Sequence, residues 1–280
     1  MQRSVRLERL LLGFRGLALL RGWPLGDEAE ADRQLDAIEE LVRRRRESPM
    51  SDVHEVTEFD HAAGYAAWAE TYDDENNLID IEERYLRRIL ERFPAGDAAD
   101  IACGTGRVSA LLCELGHRVT GVDPSEEMLS VARAKGLDAT FIAGDFETLP
   151  LPDDSVDLVT CALALTHTAD LRGPIAEMAR IVRPTGKIVL SDIHPIAVAT
   201  GAQAVFRRAD GTRGATTNLQ HWTSEYVAAF RHAAIAVEDC LEPLADDDFI
   251  GGLKLEPVRE GANLALRGLP CLLLWVLAPA

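Results

Sequence analysis

Two acidic side chains and two glycines define the first chemistry this chain can do. Asp100 lies in a short apolar run four residues before Gly104, and Gly104-Thr105-Gly106 makes a tight turn ahead of a helical segment. The next apolar run, Val119 to Val122, ends in Asp123. This is a β-α-β unit with a glycine-rich first turn and a carboxylate at the end of its second strand, the arrangement that binds a ribose. Two ligands compete for it. A dinucleotide fingerprint, GxGxxG, would seat a pyrophosphate on the helix N-terminus, but Ser109 occupies the third glycine position and Asp100 has no role there. A ribose ligand without phosphate needs only small residues through which backbone can approach, glycine having no Cβ in the way.

A second set of residues could move protons. His167 follows one predicted strand and Asp192 ends the next, so a parallel sheet puts both on its carboxyl-end rim. A histidine there can serve as general base, with the aspartate orienting it or the substrate. His194 stands two residues beyond Asp192, so Asp192, His194 and His167 also have the composition of a two-His-one-carboxylate metal site. The expectation is that no metal is held and that His194 lies near the substrate. His221, beside Trp222 and ahead of a helix, either enters the substrate pocket or caps it.

Around these groups the chain divides into helices and strands. Residues 1–47 form two helices broken at Trp23-Pro24-Leu25-Gly26. In the second, Ala31, Leu35, Ile38 and Val42 recur at helical spacing, and Arg43 to Arg46 sit where the macrodipole favours cations. Ser48-Pro49 stops that helix, and Met50 opens a polar linker and offers an alternative translation start. From Phe59 to Phe93 two helical stretches flank Asp73-Asp74-Glu75-Asn76-Asn77. The first carries Tyr65, Trp68 and Tyr72 on one face, either as core or as a lid, with Trp68 a candidate substrate contact. Strands follow at 139–143, 156–162 and 187–190, with a helix from Leu171 to Val182 broken by Arg183-Pro184-Thr185-Gly186. An irregular stretch runs from His194 to about Asn218, then a helix from Ser224 to Ala234 and strands near 236–241 and 271–277. Alternating strands and helices predict an α/β fold, a mostly parallel sheet covered on both faces. The expected division is a helical extension, 1–49, and a body, 50–280, with 195–235 and 242–270 contributing to the acceptor pocket.

Five segments in order, across roughly residues 60–280, resemble the class I S-adenosylmethionine-dependent methyltransferases. Asp100-Ile101-Ala102-Cys103-Gly104-Thr105-Gly106 resembles their first motif, and Gly121-Val122-Asp123-Pro124-Ser125-Glu126-Glu127-Met128-Leu129 their second-strand motif. Gly144-Asp145-Phe146 through Asp157 is similar to the third, and Ala176 through Gly186 to the helix and turn before the fifth strand. Tyr65 to Asp73 is similar to the aromatic lead-in of the small-molecule, natural-product or sugar-type branch. The resemblance implies a Rossmann-like seven-stranded sheet and S-adenosyl-L-methionine as cofactor. It implies that Ala102, Gly104, Gly106 and Ala162 bring backbone to the cofactor and that Asp123 takes the ribose. Pro124 and Met128 would line the adenine, Asp145 would accept its amine and Phe146 would supply a backbone NH. Tyr65 and Tyr72 would face the sulfonium, a cation that aromatic faces attract. In sugar O-methyltransferases of this fold a histidine and an aspartate at the places of His167 and Asp192 serve the reacting hydroxyl, although the usual companion before that histidine is Thr166 here.

Composition narrows the partners. The chain has 280 residues, 47% hydrophobic, and a net charge of −17. Residues 1–50 hold ten Lys/Arg against nine Asp/Glu, leaving nineteen against thirty-seven for the rest. Such a body repels phosphate backbones and anionic lipid, so no nucleic-acid or membrane partner is expected. No run is apolar enough to span a bilayer, and the basic, leucine-rich start lacks a signal-peptide cleavage pattern. Five scattered cysteines fit free thiols in a reducing cytoplasm. The expected activity is methyl transfer to a hydroxyl or amine of a small molecule in secondary metabolism, with the N-terminal helices a packing or homo-oligomer element. An NAD-type oxidoreductase and a non-catalytic cofactor-binding or assembly protein are the alternatives.

Overall fold

The structure, a computed structural model, describes residues 1–48, 50–253 and 256–280. Pro49, the expected helix stop, and Lys254 and Leu255 within the 242–270 segment lie outside the described residues.

The chain opens with strand β1 (Gln2–Arg6), helix α1 (Leu7–Gly22) and helix α2 (Glu28–Arg44), the last capped by Asp27, whose side chain accepts from the Ala29 amide. The expected all-helical start therefore begins extended. The reason is a partner remote in sequence: β1 pairs antiparallel with β2 (Val53–Glu58), and the Arg3 guanidinium meets the Glu58 carboxylate at 2.9 Å. Next come α3 (His61–Trp68), a 3-10 turn (Ala69–Thr71) and α4 (Asn77–Leu90), with Asp60 and Asn76 as N-caps.

The α/β alternation then runs β3 (Asp97–Ile101), α5 (Arg107–Glu114), β4 (Arg118–Asp123), α6 (Glu126–Ala134), β5 (Ala139–Ala143), β6 (Val156–Ala162), α7 (Arg172–Ile181) and β7 (Val182–Ile193). Residues 183–186, expected to break helix from strand, lie inside β7. Val156 pairs with Val182 but Leu158 with Lys187, so these four residues form a bulge. Arg183 fixes it by bonding Asp97 and Asp157. Helix α8 (Pro195–Ala199) leads to β8 (Ala204–Arg207) and β9 (Arg213–Thr216), a hairpin where an irregular stretch was expected. Helix α9 (Thr223–His232), β10 (Ile235–Leu241), α10 (Asp247–Gly251), α11 (Glu256–Leu266) and β11 (Leu272–Pro279) complete the order.

Seven strands form the main sheet in the order β10-β11-β7-β6-β3-β4-β5, parallel except for β11, which runs antiparallel to both neighbours. Ala98 to Ile101 are all buried, as the central strand of a doubly covered parallel sheet requires. One face packs Ile175, Met178, Tyr226 and Phe230 of α7 and α9, and the other Ile81, Leu86, Val108 and Leu112 of α4 and α5. A second sheet, β1-β2-β9-β8, joins β2 to β9 in parallel. Thus the first six residues and the 204–216 hairpin meet in one layer. Helix α1 also lies against α11, and Gly261 of α11 meets the Phe14 ring of α1.

Candidate active site

A cavity of about 500 Å³ opens at the carboxyl ends of β3, β4 and β6, where a parallel sheet leaves its strand-end loops free to hold a ligand. At its floor the Asp123 carboxylate is organised by backbone. One oxygen accepts from the Gly104 amide at 2.8 Å and the other from Ser125 at 2.9 Å. Burial pushes its pKa above the ordinary carboxylate range, against those two bonds. Each oxygen keeps a further lone pair for a ligand hydroxyl. Gly104 has φ +55°, and a Cβ there would project into open space. The turn thus leaves room for a ligand to lie on bare backbone.

Two wall residues hold conformations that L side chains resist. Ala102 (φ 54°) after β3 and Leu163 (φ 53°) after β6 are both left-handed and both line the cavity. Such positions cost about 1–3 kcal/mol each and collect at ligand sites. Ala162, Pro124 and Phe146 complete the wall near Asp123.

The roof is α3, set flush on β9. A Cβ at Gly64 would lie 2.1 Å from the Thr216 methyl, so only glycine permits this approach. The Phe59 amide donates to the Ala215 carbonyl at 2.9 Å, and His61 Nε2 meets the Thr217 carbonyl at 2.8 Å. The predicted aromatic face is thereby divided. Tyr65 and Tyr72 line the cavity, whereas Trp68 stacks on Phe206 of β8, 4.8 Å away with planes 9° apart.

Tyr65 reaches across to His167, its hydroxyl 2.5 Å from Nε2. Burial raises the Tyr65 pKa well above that of a free phenol, so the hydroxyl keeps its proton and can donate it. Burial, then repulsion from His61 (ring centroids 4.7 Å apart), lowers His167 to about 4. At neutral pH His167 is therefore an uncharged imidazole. Burial likewise raises Tyr72 to about 12, opposed by the nearby Arg107 guanidinium.

Other expected site residues stand elsewhere. Gly106 (φ +80°) caps α5, and a Cβ there would come within 3.1 Å of the Phe141 ring. Met128 is buried in α6, outside the cavity wall. Asp145 is exposed beyond that wall, and one of its oxygens accepts from the Glu147 and Thr148 amides. Asp192 is buried behind it. Its Oδ2 accepts from the Tyr226 hydroxyl at 2.8 Å and its Oδ1 from the Ile193 amide, while His167 is partnered by Tyr65. Burial pushes Asp192 up to about 7 despite these bonds. His194 caps α8 through the Ile196 amide and meets Glu242 at 3.1 Å. His221 is buried with Nε2 2.7 Å from the Thr168 carbonyl. Among the described residues no three His, Cys, Asp or Glu side chains are grouped to hold a metal ion.

Residue patterns did not single out His61, Ala66, Ser125 or Leu163 as cavity lining. Asp60, the α3 cap, is the signal that would have drawn His61 into the site. The left-handed turn at Leu163 leaves no mark in composition. Asp100 also acquires a definite structural role. Buried, it accepts from Ser109 at 2.6 Å and Thr160 at 2.8 Å. Its burial raises the pKa to about 6. Ser109, where a dinucleotide fingerprint has glycine, thus ties α5 to β3.

A family model described as a methyltransferase domain matches residues 99–190. The malonyl-[acyl-carrier protein] O-methyltransferase of Pectobacterium atrosepticum is 32% identical over 187 residues, 65% of this chain and 72% of that enzyme. The demethylmenaquinone methyltransferase of Renibacterium salmoninarum is 33% identical over 140 residues, 48% of this chain and 59% of that enzyme. Among solved structures, an S-adenosylmethionine-dependent methyltransferase from Mesorhizobium loti superposes with a TM-score of 0.55 at 27% identity, covering 70% of this chain and 96% of its own.

Proposed function

The chain belongs to the class I S-adenosylmethionine-dependent methyltransferases, and from that premise we propose that it methylates a hydroxyl or amine of a small molecule, in cytoplasmic secondary metabolism. The observation that carries the acceptor half of this reading is the Tyr65–His167 pair in the same cavity as Asp123.

The cavity suits the cofactor's parts. Asp123 offers two carboxylate oxygens to the ribose diol. Gly104 and Ala162 would present backbone carbonyls to the amino group, with Ala102 beside them. Pro124 and Phe146 would flank the adenine, and Asp145, at the rim, would be available to its exocyclic amine. Tyr65 and Tyr72 offer aromatic faces to the sulfonium, worth roughly 0.5–2 kcal/mol each. The cofactor supplies an electrophilic methyl group on sulfur.

The protein's part is to hold the acceptor in line with that methyl and to receive the proton that its nucleophile loses. Neutral His167 accepts that proton at Nε2, the acceptor hydroxyl taking the place of the Tyr65 hydroxyl. A base with so low a pKa does not deprotonate an alcohol beforehand, so proton transfer accompanies formation of the O–CH₃ bond. Asp192, held by Tyr226, acts as a positioning group behind the rim. Trp68, His194 and His221 lie outside the cavity wall, so a role in acceptor binding would extend the pocket beyond it. Self-association through the N-terminal helices is part of the proposal, supported by exposed Leu20, Trp23 and Leu25 at the tip of the α1–α2 hairpin.

Family membership sets the NAD-type alternative aside. The related enzymes' names point to different acceptors, a carrier-bound malonyl group and a demethylmenaquinone. The hydroxyl reading rests instead on His167. Isothermal titration with S-adenosylmethionine should give saturable one-to-one binding, and a panel of hydroxyl and amine acceptors should release S-adenosylhomocysteine. Binding without turnover on any acceptor would favour the assembly role.

A further inference from the structure

A second cavity, of about 540 Å³, lies between the N-terminal helix α1 and the main body. It shares no lining residue with the cofactor cavity, standing beyond the carboxyl end of β7 and the start of β11. Its walls are overwhelmingly apolar, with Phe14 and Leu17 of α1 facing Ile196 of α8, Leu266 at the end of α11 and Leu269 after it.

Two glycines open onto it. Gly13 is in the middle of α1 and Gly201 follows α8, and a Cβ at either would meet nothing within 4 Å. Mid-helix glycine weakens a helix relative to alanine. At Gly13 no close packing requires it, so what the glycine preserves is volume.

The rim carries a cation. Along α1 and its edge Arg6 lies 3.8 Å from Glu8, Arg15 pairs with Glu260 at 2.7 Å, and Arg21 donates to the Ala265 carbonyl. Arg9, at the cavity, has no ion pair or hydrogen bond to another described residue. An apolar slot edged by a guanidinium that pairs with no described residue complements an apolar chain that ends in an anion.

We propose that this cavity is a second binding site, for a medium-length aliphatic chain bearing a carboxylate, with the carboxylate on Arg9 and the chain between α1 and α8. Decanoate and decanol are the probes, titrated calorimetrically into the full chain with and without S-adenosylmethionine. Decanoate should bind saturably, and Gly13→Leu, which fills the slot while favouring the helix, should weaken it roughly tenfold or more. Arg9→Gln should weaken decanoate roughly two- to fivefold, the range of an exposed ion pair, and leave decanol unchanged. Cofactor affinity should be the same in all three proteins, which keeps this test separate from that of the methyltransferase reading. Absence of saturable decanoate binding, or equal binding by Gly13→Leu, overturns the site. Equal loss of decanol binding in Arg9→Gln overturns the role of Arg9.

Discussion

The Tyr65 hydroxyl and His167 Nε2 stand 2.5 Å apart, one on the roof helix and the other on the turn after β6. The bond joins the roof of the cavity to the turn after β6, and His61 of the same roof helix helps to hold the imidazole uncharged.

Replacing His167 with Ala should lower kcat by roughly 10²–10⁴-fold, the range of a lost general base, with cofactor affinity nearly intact. Tyr65→Phe removes the resting partner that the acceptor hydroxyl has to displace from Nε2, so kcat/KM should hold or rise by up to roughly tenfold, whereas a loss of more than tenfold would show that the Tyr65 hydroxyl stays on the imidazole during the reaction. Because His167 is held near 4, the acid limb of the wild-type rate profile should fall near that value. A limb at the ordinary imidazole pKa of about 6.5 would contradict the assignment.

At Asp123, substitution by Asn keeps the volume but removes one acceptor oxygen and the charge. Calorimetry should show S-adenosylmethionine binding weakened by roughly 10- to 100-fold, the loss of a charge-assisted hydrogen bond. Unchanged affinity would show that the ribose is held elsewhere.

Stability against pH tests the buried carboxylate at Asp192. Its folded-state pKa, about 7, lies above the ordinary 3.8. Between those values the folded protein holds a proton that the unfolded chain releases, so this group's contribution to stability falls as pH rises through the window. Asp192→Asn, whose side-chain carbonyl can still accept from Tyr226, should lose that dependence. Comparing chemical unfolding at pH 5 and pH 8, the variant should gain roughly 2–3 kcal/mol on wild type at the higher pH. Equal pH dependence in the two proteins would place the ionised form in the fold without penalty.

The main sheet was legible because each of its β-α-β units is local. Strands such as Val156–Ala162 are short, largely apolar runs, and Asp123 stands at the end of one, so topology alone carries it to the cavity. The second sheet was not legible. Residues 2–6 are polar apart from Val5 and all exposed, and they become a strand only through pairing with 53–58, which in turn needs the 213–216 strand. Trp68 shares a helical face with Tyr65 and Tyr72, yet Phe206, distant in sequence, draws it out of the cavity. Met128 has the side chain of either a pocket wall or a core, and the rotation of α6 places it in the core.

The parallel pairing of Val56 with Arg213 joins segments separated by more than half the chain. Contacts of such long span form slowly, because loop closure precedes any gain from pairing. The β-α-β units should close first, and the layer that seats α3 last. Affinity for the cofactor should therefore be the final property to return during refolding, after the helical signal is complete. During synthesis, a ribosome-bound chain would acquire that affinity only once β9 has emerged.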